Sequence, residues 1–222
     1  MIINIEMYNN HIRAVRDFSL TATELEETIK QYPYTGERRV KDPKVENSQL
    51  PPIALCFYWF VYECGTVPSP DDLIKLYLSQ ACFRRLSEEE YEVTYGADTF
   101  VVSTDGLIAR ILRTYPSILR DIHFYLLAVE SKLFQAVRYS FEDDFKNGVD
   151  IKVQYNGKWF NIALMQNTRR ALFFRSRKKS RHTNSNMDLI NVELDPTKSK
   201  RCGDYNLYTM QHVEMVKKMI MK

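Results

Sequence analysis

The chain has 222 residues, 45% hydrophobic and 13% aromatic, enough to bury a sizeable core and to exclude a disordered or low-complexity protein. Its net charge of +3 hides an asymmetry: residues 1–100 carry 10 Lys and Arg against 16 Asp and Glu, and residues 101–222 carry 21 against 12. An acidic first part thus precedes a basic second part suited to an anionic partner.

Cysteines at 56, 64, 82 and 202 form no CxxC pair, which argues against a zinc or dithiol site and for free thiols in a reducing compartment. The start, Met1-Ile2-Ile3-Asn4-Ile5-Glu6, lacks the basic and apolar regions of a signal peptide, and the apolar run Ile53–Tyr62 is too short to span a bilayer. A cytoplasmic protein with no membrane partner is expected.

Residues 1–20 read as a short strand and a loop. Thr21-Ala22-Thr23-Glu24 has capping-box spacing and predicts a helix to about Gln31, stopped by Pro33. Residues 34–52 are polar, hold Pro43, Pro51 and Pro52, and read as a linker. Ile53–Cys64, apolar on every side, predicts a buried helix ended by Gly65. Ser69-Pro70-Asp71-Asp72 opens the next helix, expected to reach Cys82 or Leu86. The acidic start of that helix speaks against a DNA-reading helix-turn-helix and for plain helix packing.

Glu92–Tyr95 and Thr99–Ser103 predict a hairpin, after which Thr104 caps a helix that Pro116 is expected to break. Ser117 then caps a predicted long helix to about Lys146, with Leu119, Ile122, Leu126, Val129, Leu133, Val137 and Phe141 at helical spacing. Glu142-Asp143-Asp144 and Asn147-Gly148 close it. Val149–Tyr155 and Trp159–Met165 alternate around Asn156-Gly157, a strong hairpin signal. A basic helix from Thr168, a strand at Leu189–Leu194 and a helix at Gln211–Met221 follow.

The densest chemical signal is Arg169–His182, with seven Lys and Arg and no acid. Self-repulsion at this density is relieved by phosphates, and Arg forks fit phosphate oxygens. Arg169, Arg170, Arg175, Arg177, Lys178, Lys179 and Arg181 are therefore candidate nucleic-acid contacts, DNA being favoured. HExxH, Gly-rich phosphate-loop and Gly-x-Ser-x-Gly motifs are missing from the chain.

The predicted order after residue 117, with Gly148-Val149-Asp150 on one strand and Gln166-Asn167-Thr168 on the next, resembles the core of the PD-(D/E)XK nuclease superfamily, in its Gly-x-Asp and Gln-x-Lys variants. The resemblance covers roughly residues 117–195. It implies an α+β fold: a mainly helical part over 1–100, then a restriction-endonuclease-like α/β domain over 101–222. It also implies a metal-dependent endonuclease that hydrolyses DNA phosphodiester bonds. Asp150, with Glu130 as an upstream carboxylate, would hold Mg²⁺ or Mn²⁺, and Gln166 would complete the site. Thr168 replaces the family's Lys, so Arg169 or Lys178 would have to supply the cation. A non-catalytic nucleic-acid binder on such a scaffold is the alternative. A homodimer, or a partner protein held through the N-terminal part, fits the class.

Overall fold

The computed structural model describes residues 2–6, 13–17, 19–36, 41–166, 188–195 and 197–222, the first two stretches as backbone only. Local capping chemistry sets several helix ends. Thr21 and Glu24 form the expected capping box at the start of α1 (Ala22–Ile29). Asp42 caps the short α2 (Pro43–Asn47), inside the stretch expected to be a linker. The buried α3 (Ile53–Cys64) ends at left-handed Gly65, as expected. Ser69 caps α4 (Pro70–Leu78), which stops short of the expected end. Its continuation is instead β3 (Phe83–Arg85), paired with the hairpin of β4 (Glu90–Tyr95) and β5 (Asp98–Ser103).

The largest correction concerns α5 (Thr104–Glu130), capped by Ser103, which runs unbroken through Pro116. A proline inside a helix lacks the N–H that would bond the carbonyl four residues back, here that of Leu112. Gly36 packs against this carbonyl, so that a Cβ on Gly36 would lie 2.8 Å from Leu112 C and 2.9 Å from its O. The apolar spacing from Leu119 to Val129 is a true helical stripe, but Val137 and Phe141 meet it only by coincidence. The helix ends at Glu130, and Ala136–Ser140 forms the strand β6.

The acidic run then makes a single π-helical turn, Asp143–Asn147, ended by Gly148 with φ 65°. β7 (Ile151–Tyr155) and β8 (Lys158–Gln166) form the expected hairpin, with Asn156 at φ 48° and Gly157 at φ 75°, the signs a two-residue type I′ turn needs. β9 (Leu189–Leu194) pairs parallel with β8. Such a pair needs a crossover connection. The predicted helix over Arg169–His182, between these two strands in sequence, lies outside the described residues.

β1 (Ile2–Glu6) and β2 (Arg13–Asp17) complete a six-stranded mixed sheet in the order β2-β1-β6-β7-β8-β9. The sheet therefore joins the N-terminal residues to the C-terminal part, and one buried core extends from Ala22 to Val216. A further hairpin, β10 (Lys200–Cys202) with β11 (Tyr205–Leu207), leads into α6 (Met210–Ile220). The protein is thus mixed α/β with several sheets. Among the described residues, no helix is long and apolar enough to cross a membrane.

Candidate functional site

Asp150 stands just before β7, between buried Val149 and Ile151. Its amide donates to the Ile162 carbonyl at 3.0 Å, although Ile151 is the register partner of Ile162. Two successive residues thus face one partner, the pattern of a β-bulge, which re-aims a side chain. The carboxylate Oδ2 in turn accepts the Leu164 amide of β8 at 2.5 Å. Asp150 is therefore fixed to the neighbouring strand by its backbone and by its side chain.

Gln166, the last residue of β8, lies two residues beyond Leu164, about 7 Å along the strand, and pairs with Leu194 of β9. Asp150, at the entry to β7, and Gln166, the last residue of β8, thus stand towards the same end of the β7–β8 hairpin. Tyr208 closes that end. Its hydroxyl lies 3.3 Å from the Met165 carbonyl and 3.4 Å from that of Val192, bridging β8 and β9, and its ring meets Phe124 of α5 edge-on.

Acidic side chains from other elements act on the same region. Tyr58 of α3 stacks on Tyr139 of β6, with centroids 3.8 Å apart, and both are buried. Burial pushes the Tyr58 phenol well above its ordinary value, and the charges of Asp121, Asp144 and Asp150 push it further. Tyr208 is raised by burial and by Asp121 and Asp150, with Arg120 opposing. The Tyr139 hydroxyl donates to Asp144 at 3.2 Å. Sequence reasoning missed Asp121 and the three tyrosines. The one available signal for Asp121 was an acid set within the apolar run Ile118–Ala128.

Glu130, the other expected metal ligand, stands elsewhere. Glu130 ends α5, and its carboxylate accepts the Ala22 amide at 2.6 Å, capping α1. Glu142 pairs with Lys146, and Asp143 with Lys152 at 2.8 Å. Arg169, Arg170, Arg175, Arg177, Lys178, Lys179 and Arg181 lie outside the described residues. Among the described residues, no three His, Cys, Asp or Glu side chains are grouped closely enough to hold one metal ion.

A second polar cluster is buried between α1, α5 and β10. His123, fully buried, lies 3.0 Å from Glu26 Oε1 through Nε2, while Lys200 reaches Glu26 Oε2 at 2.6 Å. The Cys202 thiol donates to the Glu26 carbonyl at 3.2 Å. His123 Nδ1 is buried with no hydrogen-bond partner among the described residues. Burial lowers the His123 pKa, with Glu26 opposing. Burial alone would raise the Glu26 carboxyl, but the contacts from Lys200 and His123 outweigh it and hold the pKa below its ordinary value. All four cysteines are free, Cys56 and Cys202 being buried.

No known family model, curated protein or solved structure matches the chain.

Proposed function

We propose that the protein is a divalent-metal-dependent endonuclease acting on DNA, with Asp150 as the central metal ligand and Gln166 as a second oxygen donor. The observation that carries this reading is the double anchoring of Asp150 to β8, two residues from Gln166, on a strand that leads directly into the basic segment. The sheet end would hold the ion, and Arg169–Arg181 would hold the phosphates on either side of the scissile bond.

The donor set fits the ion. Mg²⁺ takes oxygen ligands and keeps several waters, and one or two carboxylates plus substrate phosphate are its usual protein-side partners. Asp121, Asp144 and Asp150 all raise the Tyr58 phenol, so further carboxylates lie within electrostatic reach of the same region as Asp150. When bound, the ion would supply an activated water and neutralise charge developing on the phosphate. The chain's own part is positional: the bulge re-aims Asp150, the Leu164 amide fixes its carboxylate, and Tyr208 ties β8 to β9 beneath it.

A second reading is favoured by one contact. A carboxylate accepting a strand amide at 2.5 Å is itself a structural device, and with Thr168 in place of the family's Lys it fits a non-catalytic DNA binder. Incubating the protein with plasmid in EDTA, then in Mg²⁺ or Mn²⁺, separates the two. Nicking or linearisation only with metal is the expected result. A salt-sensitive gel shift without cleavage in either condition assigns the second reading. A protein that neither cleaves nor shifts DNA at low salt overturns both.

A further inference from the structure

The opposite end of the β7–β8 hairpin carries Trp159, 47% exposed. Register and alternation define its surroundings. Ile151, Val153 and Ile162 turn into the core, so Gln154 and Trp159, directly paired across the hairpin, turn to the other face. Ala136 of β6 pairs with Gln154 on its far side, giving a row Ala136–Gln154–Trp159. The next row on the same face is Arg138–Lys152–Asn161. Strands β6, β7 and β8 together hold Arg138, Lys152 and Lys158 and no acid, and Lys152 pairs with Asp143 of the π-helical turn at 2.8 Å.

A large ring that a monomer leaves in water, beside small and amide side chains and a row of cations, is chemically specific. Apolar partners gain little from Gln154, Asn161, Lys152 and Arg138, whereas a nucleic-acid strand uses each of them. Bases stack on the ring, amides meet base edges, and cations meet phosphates. Stacking needs an unpaired base, which a duplex does not offer. Trp159 is also seven residues from Gln166, about 23 Å along β8, so one strand of DNA can lie along the sheet from this ring to the candidate site.

We infer that the outer face of β6–β7–β8 is a binding surface for single-stranded DNA, with Trp159 stacking on an unpaired base and Arg138 and Lys152 contacting the adjoining phosphates. This rests on the DNA-binding part of the function proposed above and not on cleavage.

The test is run in EDTA at low salt. The chain has two tryptophans, so a Trp59→Phe variant leaves the fluorescence to Trp159. Titration with oligo(dT) of about 15 nucleotides, within the usual range of single-strand site sizes, should quench it saturably, and a duplex of equal length should not. Trp159→Ala should weaken oligo(dT) binding roughly 5- to 150-fold, the equivalent of one stacked base. Trp159→Phe should retain most of the affinity, and duplex binding should change less than about twofold in either variant. Unchanged oligo(dT) affinity in Trp159→Ala, or an equal loss on duplex, overturns the surface and leaves the DNA-binding reading standing. Failure of the unsubstituted protein to bind either form overturns both.

Discussion

Two polar clusters in this protein solve the problem of charge at a core in opposite ways. Around Glu26, opposite charges meet: a carboxylate accepts from a buried imidazole and from Lys200, which is half-exposed. Around Asp150, like charges meet: Asp121, Asp144 and Asp150 come from a helix, a π-turn and a strand start to act on one buried phenol. In the first arrangement the donors on the carboxylate hold its pKa below the ordinary value despite burial. In the second, the donors that the fold supplies to Asp144 and Asp150 include a neutral hydroxyl and a neutral amide. A cluster built on opposite charges reads as architecture, whereas carboxylates from three elements around one phenol are where a metal ligand is to be sought.

The comparison is broken most decisively at Asp150. Asp150→Asn keeps an oxygen for the Leu164 amide and removes the charge. If the carboxylate is a ligand, this variant should lose metal-dependent cleavage by roughly 100-fold or more, while its melting temperature and its DNA affinity hold or rise. Asp150→Ala should lose cleavage equally and also about 1–2 kcal/mol of stability, because the Leu164 amide loses its acceptor. Wild-type cleavage rates in purified Asp150→Asn would assign Asp150 to the architecture of the hairpin and remove it from the metal.

The reverse experiment is made at Glu26. Glu26→Ala strips the imidazole and the ammonium of their shared partner. Breaking a buried pair in this way costs about 3 kcal/mol, tempered here because Lys200 is 53% exposed. Glu26→Gln, which keeps an acceptor for one of them, should cost less. Urea denaturation gives both values. DNA binding per folded molecule should be unchanged, and a selective loss of binding in Glu26→Gln would mean that this cluster too serves a ligand.

The two clusters were not equally legible in the sequence. Turn and cap chemistry is local, so the Asn156-Gly157 hairpin, the strand Leu189–Leu194 and the starts at Thr21 and Ser69 were readable from neighbouring residues. Asp150 was readable for the same reason, as an acid at a strand start. β6 was not, since Val137 and Phe141 satisfy the 3.6-residue stripe continuing from α5 while Val137 in fact pairs with Val153. The three-residue strands of the β10–β11 hairpin are too short to show alternation. Everything that makes either cluster a cluster is non-local. Glu26 finds His123 across 97 residues and Lys200 across 174, and the acids facing Tyr58 come from positions 121, 144 and 150. Glu130 illustrates the reverse error: its position upstream of Asp150 invited a metal role, and the fold gives its carboxylate to the first turn of α1.

The gentlest test uses pH. The folded pKa of His123 lies below that of an unfolded histidine, near 6.5. Above that value the ring is neutral in both states and contributes nothing. As pH falls below it, the unfolded chain takes up a proton that the folded chain refuses, and stability falls until the folded pKa is reached. The refusal has a geometric cause. Nε2 faces Glu26, so a second proton would go to Nδ1, which is buried without an acceptor among the described residues, with Lys200 adding like charge and Glu26 and Glu130 opposing. Glu26, held below its ordinary 4.5, adds a separate loss only under that pH. His212 is also lowered by burial and titrates in the same window, its Nδ1 accepting the Thr209 amide. The melting temperature should therefore be level above about pH 7 and fall between about 6.5 and 5. His123→Gln, which keeps a donor for Glu26 and does not titrate, should remove part of that fall, and His212→Asn another part. A His123→Gln profile parallel to wild type through this window would show that His123 takes up its proton equally in both states, and the buried, paired character of its cluster would have to be given up.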